Sequence, residues 1–167
     1  MSVFLRTVDF INDKVGKAVS WLVLALTAVL AIEVVARYIF GKPTDFVYDL
    51  TWMFLGAYIV LGAAYTFLAE GHVRVDIFSS RLPQRKKALL EVILYLVFFF
   101  PLVGLLVYAC TDFALISWSG DERSSVSLWK PPVYPFKIIM AIGFYLLALQ
   151  GTAKFIQQLR LAIKGNP

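Results

Sequence analysis

The chain has 167 residues, 60% of them hydrophobic and 16% aromatic, with a mean hydropathy of +0.76 and a formal net charge of +5. That balance is too apolar for an ordinary soluble domain of this length, and a basic face for nucleic acid needs a soluble fold to carry it. The composition predicts an all-α, polytopic membrane protein: one domain of four transmembrane helices, preceded by an interfacial amphipathic helix.

Residues 1–16 place Phe4, Val8, Ile11 and Val15 at helical spacing, while Arg6, Asp9, Asp13 and Lys17 fall elsewhere around the helix. This stripe predicts a helix lying on the cytoplasmic surface, with Gly16 as its bend into the membrane. The bland alternative is that the first span simply starts early. That span, 18–40, is interrupted only by Glu33 and Arg37 near one end. Val29, Leu30 and Ala31 resemble a signal cleavage site, but apolar residues continue to Phe40, which favours a retained helix. Gly41, Lys42 and Pro43 then stop the helix, and Thr44 or Asp45 can cap the next.

The second span, 47–69, has Gly56 and Ala63 seven residues apart, and Ala57 and Ala64 likewise. Small residues on one stripe let another backbone approach closely, and the stripe is read as a face for protein. In the connecting loop, 70–87, His72, Arg74 and Asp76 alternate with apolar residues and can form a local polar network, whether the segment is extended or helical. Arg81, Arg85, Lys86 and Lys87 follow, suited to lipid headgroups. Pro83 fits the first turn of the third span, 88–111, in which Pro101 removes a donor and predicts a kink. The second outer connection, 112–135, is aromatic and proline-rich, with Trp118, Trp129 and Lys130. It reads either as an interfacial belt or as a ledge for an external protein. A fourth span, 136–158, completes the domain.

Four spans put both termini and the middle loop on one side. That side holds Arg6, Lys14, Lys17, Arg74, Arg81, Arg85, Lys86, Lys87, Lys154, Arg160 and Lys164, against Arg37, Lys42, Arg123, Lys130 and Lys137 on the other. The positive-inside rule assigns the richer side, and therefore both termini, to the cytoplasm.

Chemistry is poorly supplied. A single cysteine, Cys110, excludes a paired-thiol oxidoreductase, and the lone His72 cannot supply a bis-histidine haem, a metal cluster or a catalytic triad. No cofactor and no enzymatic activity are expected. Glu33 and Arg37 stand four apart on one helix face in the favourable acid-before-base order. A membrane carboxylate can couple protons, as in small multidrug exporters, or form a structural ion pair. Arg37 one turn away favours the ion pair, at a contact between subunits.

The segments EVVARYIFGKP, LGAAYTFLAEGHVRVDIF with RLP following, and WKPPVYPFKIIMAIGFYLLALQG together resemble the small membrane subunit, DctQ type, of tripartite ATP-independent periplasmic (TRAP) transporters, over most of residues 1–160. In that family a tryptophan precedes an acidic residue by three in the first outer loop; here Phe46 and Asp49 occupy those places. The resemblance implies a bacterial inner-membrane scaffold for a large DctM-type permease subunit, which carries the sodium and substrate sites and moves as an elevator. It also implies a periplasmic substrate-binding protein that delivers an organic acid or similar solute. On this reading Glu33, Arg37, Gly56, Ala57, Ala63 and Ala64 are expected to meet the large subunit. Asp45, Asp49, Trp118, Trp129 and Lys130 are expected to dock the binding protein. A proton-coupled exporter and a non-transport membrane assembly factor are the alternatives.

Overall fold

Leucine-, valine- and alanine-rich runs with few polar interruptions fold as long helices, because in hydrocarbon every backbone N–H and C=O needs a partner within the segment. The computed structural model describes residues 3–69 and 83–164. In chain order it contains α1 (Val3–Tyr38), α2 (Val47–Leu68), α3 (Gln84–Leu94), a π-helical turn π1 (Tyr95–Phe99), α4 (Phe100–Ser119) and α5 (Tyr134–Lys164). Among the described residues the only extended pairing is one isolated bridge, Arg123 with Pro132. Four helices are long and apolar enough to cross a membrane: α1, α2, the continuous stack of α3, π1 and α4, and α5. The bundle end at Tyr38 and Tyr134 is called outer below, following the expected threading.

Helix α1 runs through Gly16 without a break, so the expected bend and separate surface helix are not made. Gly16 serves a different purpose. The Tyr65 ring of α2 packs so closely that a side chain at position 16 would collide with it. Toward the rest of the chain α1 buries Leu5, Val8, Asn12, Gly16 and Val19, whereas Phe4 and Ile11 of the apolar stripe are exposed on its other side. Leu5 and Val8 form a core cluster with Ala153 of α5. Thirty-six residues at about 1.5 Å each exceed a hydrocarbon core of about 30 Å, so the first turns project beyond it.

Gly41, at φ 62°, turns the chain after α1, and the Lys42 N–H donates back to Ala36 C=O at 3.0 Å. The cap expected at Thr44 or Asp45 is not formed. The N-cap of α2 is Phe46, without a side-chain hydrogen bond, because the Thr44 hydroxyl is engaged elsewhere. Just before Pro101, where a kink is expected, the helix widens into π1. The Phe100 N–H reaches back five residues to Tyr95 C=O, a widened turn that accommodates a proline ring which cannot sit against a regular α-helical carbonyl.

Helix α5 is the hub. Its membrane-length window is 28% buried, against 11% for each of the other three, and it packs against α2, α3 and α4 while α1 packs mainly on α2. Two glycines allow the α2–α5 approach. A Cβ on Gly56 would lie 2.6 Å from the Phe136 ring, and one on Gly143 would lie 3.1 Å from the Val60 backbone. Ala57 and Ala64 are buried as well. The small-residue stripe assigned to an external partner is therefore largely occupied within the chain, with Ala63 half-buried.

The basic run also differs from a loop. Helix α3 starts at Gln84, so Arg85, Lys86 and Lys87 lie in its first turn. The last carbonyls of a helix lack intrahelical donors, and Arg85 Nε donates to one of them, Ala162 C=O of α5, at 3.0 Å.

Candidate functional site

Two buried carboxylates organise the outer end. The first is Glu33, in the last turns of α1. Its Oε1 accepts from Arg37 Nε at 2.9 Å and Nη2 at 2.6 Å. Its Oε2 accepts from the Thr44 backbone N–H at 3.1 Å and from the Thr44 hydroxyl. Glu33 is buried while Arg37 is exposed, so the pair pins the α1–α2 turn from inside and leaves a guanidinium on the surface.

The second is Asp49, in the first turn of α2, where the positive end of the helix dipole favours an anion. Its side chain is fully buried, at 0% exposure, without a cationic partner within ion-pair distance among the described residues. Three neutral donors satisfy it instead. Trp52 Nε1 donates to Oδ1 at 3.1 Å, Ser124 Oγ donates to the same oxygen at 2.6 Å, and Ser127 Oγ donates to Oδ2. A buried carboxylate with several hydrogen-bond donors holds those donors in fixed geometry.

Those serines belong to a hairpin over residues 120–133. It is closed by Ser124 N–H to Pro131 C=O and Val133 N–H to Glu122 C=O, both 2.9 Å. Glu122 accepts from Lys137 of α5, which holds its carboxyl below the ordinary glutamate range. Asp121 and Lys130 take left-handed backbone conformations, φ 43° and 45°, which cost a non-glycine residue about 1–3 kcal/mol and persist where surrounding contacts fix them. The hairpin tip presents apolar groups to the surroundings: Leu128 is 83% exposed, Val126 is exposed, and Trp129 stands half-exposed with Phe46 edge-on at 6.3 Å.

Of the residues expected to form a docking ledge, Asp45, Trp129 and Lys130 are exposed at this end, and Trp118 is exposed in the last turn of α4, not in a loop. Asp49 is the exception. Buried under the hairpin, it is out of reach of an external partner, and it instead holds Ser124 and Ser127 in place. Ser124, Ser127 and Trp52 were not singled out by the sequence as site residues; the serines lie 75 and 78 residues from Asp49, and no local pattern announces them.

The opposite end has its own polar seam. Asn12 Nδ2 donates to Gln150 Oε1 at 2.7 Å, and Gln150 Nε2 donates to Asp9 Oδ1 at 2.9 Å, tying α1 to α5 through a glutamine with no exposed surface. His72, Arg74, Asp76 and Arg81 lie outside the described residues. No cluster of metal-ligating side chains occurs among the described residues.

The family model described as "Tripartite ATP-independent periplasmic transporters, DctQ component" matches residues 26–161, which take in both outer carboxylates, the hairpin and the α2–α5 core. No curated protein matches the chain.

Proposed function

Because the chain belongs to the DctQ family of TRAP transporter components, and is thus a multi-pass small permease subunit of a tripartite system, we propose that it scaffolds a large DctM-type permease subunit and helps to dock the periplasmic substrate-binding protein. The large subunit carries the sodium-coupled, elevator-type movement of an organic acid or similar solute; this chain anchors it in the bacterial inner membrane, with both termini cytoplasmic.

The observation that carries this reading is the use to which the chain puts its buried carboxylates. Arg37 and Thr44 occupy both oxygens of Glu33, and Trp52, Ser124 and Ser127 occupy both oxygens of Asp49. A solute or ion pathway needs unspent polar groups to replace hydration, and these are spent on structure. The same contacts weigh against a proton-coupled exporter built on Glu33. Arg37, exposed beside it, is suited to meet the large subunit, and so is Ala63, which the chain itself only half-buries.

Docking is assigned to the hairpin tip and its neighbours Asp45, Trp118, Trp129 and Lys130, where apolar, aromatic and cationic groups stand together outside the bundle. The test is transport by the reconstituted tripartite system with the binding protein limiting. Trp129→Ala is expected to raise the half-saturating concentration of binding protein roughly fivefold or more, the size of a contact above 1 kcal/mol. Lys130→Asn removes the charge but tolerates the left-handed backbone, and should act in the same direction without loss of stability. Unaltered saturation in both variants would refute the docking assignment.

A further inference from the structure

Helices α2 and α4 each pack on α5 but not extensively on one another. Between them, at the outer end, lies a cleft of about 280 Å³. Trp52 of α2 forms one wall, Cys110 and Phe113 of α4 form the other, and Phe136 and Met140 of α5 form the floor, with Lys137 at the rim. Val133, buried at the base of the hairpin, adds the roof. Cys110 stands nine residues before the end of α4, about 13 Å along the helix, so the cleft reaches well below the interface.

What fills such a space follows from its polarity and size. A stable buried water needs two to four polar partners, and this lining offers a weak thiol and the Lys137 ammonium, which is already engaged by Glu122 and lies 5.6 Å from the centre of the Phe113 ring. Apolar cavities of roughly 150 Å³ stay dry and take up small hydrocarbons, and this one is larger. It is not sealed: Phe113, at its edge, is 61% exposed. Around membrane-spanning helices the available hydrocarbon is the lipid tail, and the Lys137–Glu122 pair at the rim sits where polar headgroups begin.

We propose that this cleft between α2 and α4 binds one acyl chain of an outer-leaflet phospholipid. The site depends on the helices spanning a bilayer and not on docking of the binding protein, so either assignment can fail without the other.

The test uses the full chain in its assembled complex, in vesicles of phosphatidylethanolamine and phosphatidylglycerol doped with a phosphatidylcholine carrying a diazirine in the upper third of one tail, near the carbonyl. Photolabelling at Phe136 should exceed that at Leu115, which is exposed near the same end of α4 and does not line the cleft. Filling the cleft by Met140→Trp or Cys110→Phe should give a several-fold loss at Phe136 with labelling at Leu115 retained. If neither variant assembles, the wild-type pattern decides alone. Labelling at Phe136 no greater than at Leu115, or unchanged in the filled variants, overturns the site. So does disulfide capture of Phe113→Cys by a helix of the large subunit, which would place protein there instead.

Discussion

Asp49 illustrates how a single side chain governs a surface it never reaches. Removing it in Asp49→Ala leaves the donors on Trp52, Ser124 and Ser127 without an acceptor under the hairpin, and an orphaned buried donor costs about 1–3 kcal/mol. The variant is therefore expected to melt at lower temperature in detergent and to lose amide protection over residues 120–133. Retained protection there would show that the backbone bridge alone holds the hairpin. Glu122 makes a second, pH-dependent prediction. Its carboxyl is held below the ordinary value of 4.5 by Lys137, so the clasp contributes fully above that value and is lost as pH falls through the lowered one. Protection of the Val133 amide, corrected for intrinsic exchange rates, should hold at neutral pH and fall only in that acidic window; Lys137→Gln should abolish the response. The sequence marked Asp49 and Lys130 as outer-end residues, but their different duties depend on contacts across more than seventy residues, which no local spacing encodes.

Among the helices, the informative positions are the glycines. A valine at Gly56 or Gly143 must displace the Phe136 ring or the Val60 backbone, whereas nothing lies within 4 Å of a Cβ at Gly62 or Gly104. Gly56→Val and Gly143→Val are expected to destabilise the isolated subunit by about 1–3 kcal/mol, and Gly62→Ala and Gly104→Ala to be neutral or mildly stabilising. Equal effects at all four positions, measured by thermal unfolding, would contradict the α2–α5 packing. The existence of the small-residue stripe was legible, because its spacing is a property of α2 alone. Its occupant was not, because α5 enters the sequence about seventy residues after α2 ends. Pro101 likewise announced an interruption without specifying a π-helical turn. Around that turn Phe99 packs against Phe67 at 5.3 Å and against Gly151, contacts from distant segments that no local pattern shows. At Gly16 the same logic reversed the expectation: a residue that permits bending was used to admit the Tyr65 ring.

For the whole molecule, the hydrocarbon environment made the architecture readable. Membrane-spanning segments must be long, apolar and internally hydrogen-bonded, so composition and run length pointed to four such helices, while their ends lie elsewhere than the apolar runs alone suggest: α1 stops at Tyr38 and α2 at Leu68, and α4 continues to Ser119 and α5 to Lys164. The proposed scaffold role is supported by how the described residues use their buried polar groups: the carboxylates fasten a turn and a hairpin, the glutamine fastens two helices, and wide apolar surfaces await lipid or a partner. The most direct measurement compares proteoliposomes holding this chain alone with others holding it beside its large subunit, both given the binding protein, the solute and an inward sodium gradient. Saturable uptake is expected only when the large subunit is present; saturable, gradient-dependent uptake by this chain alone would overturn the scaffold assignment.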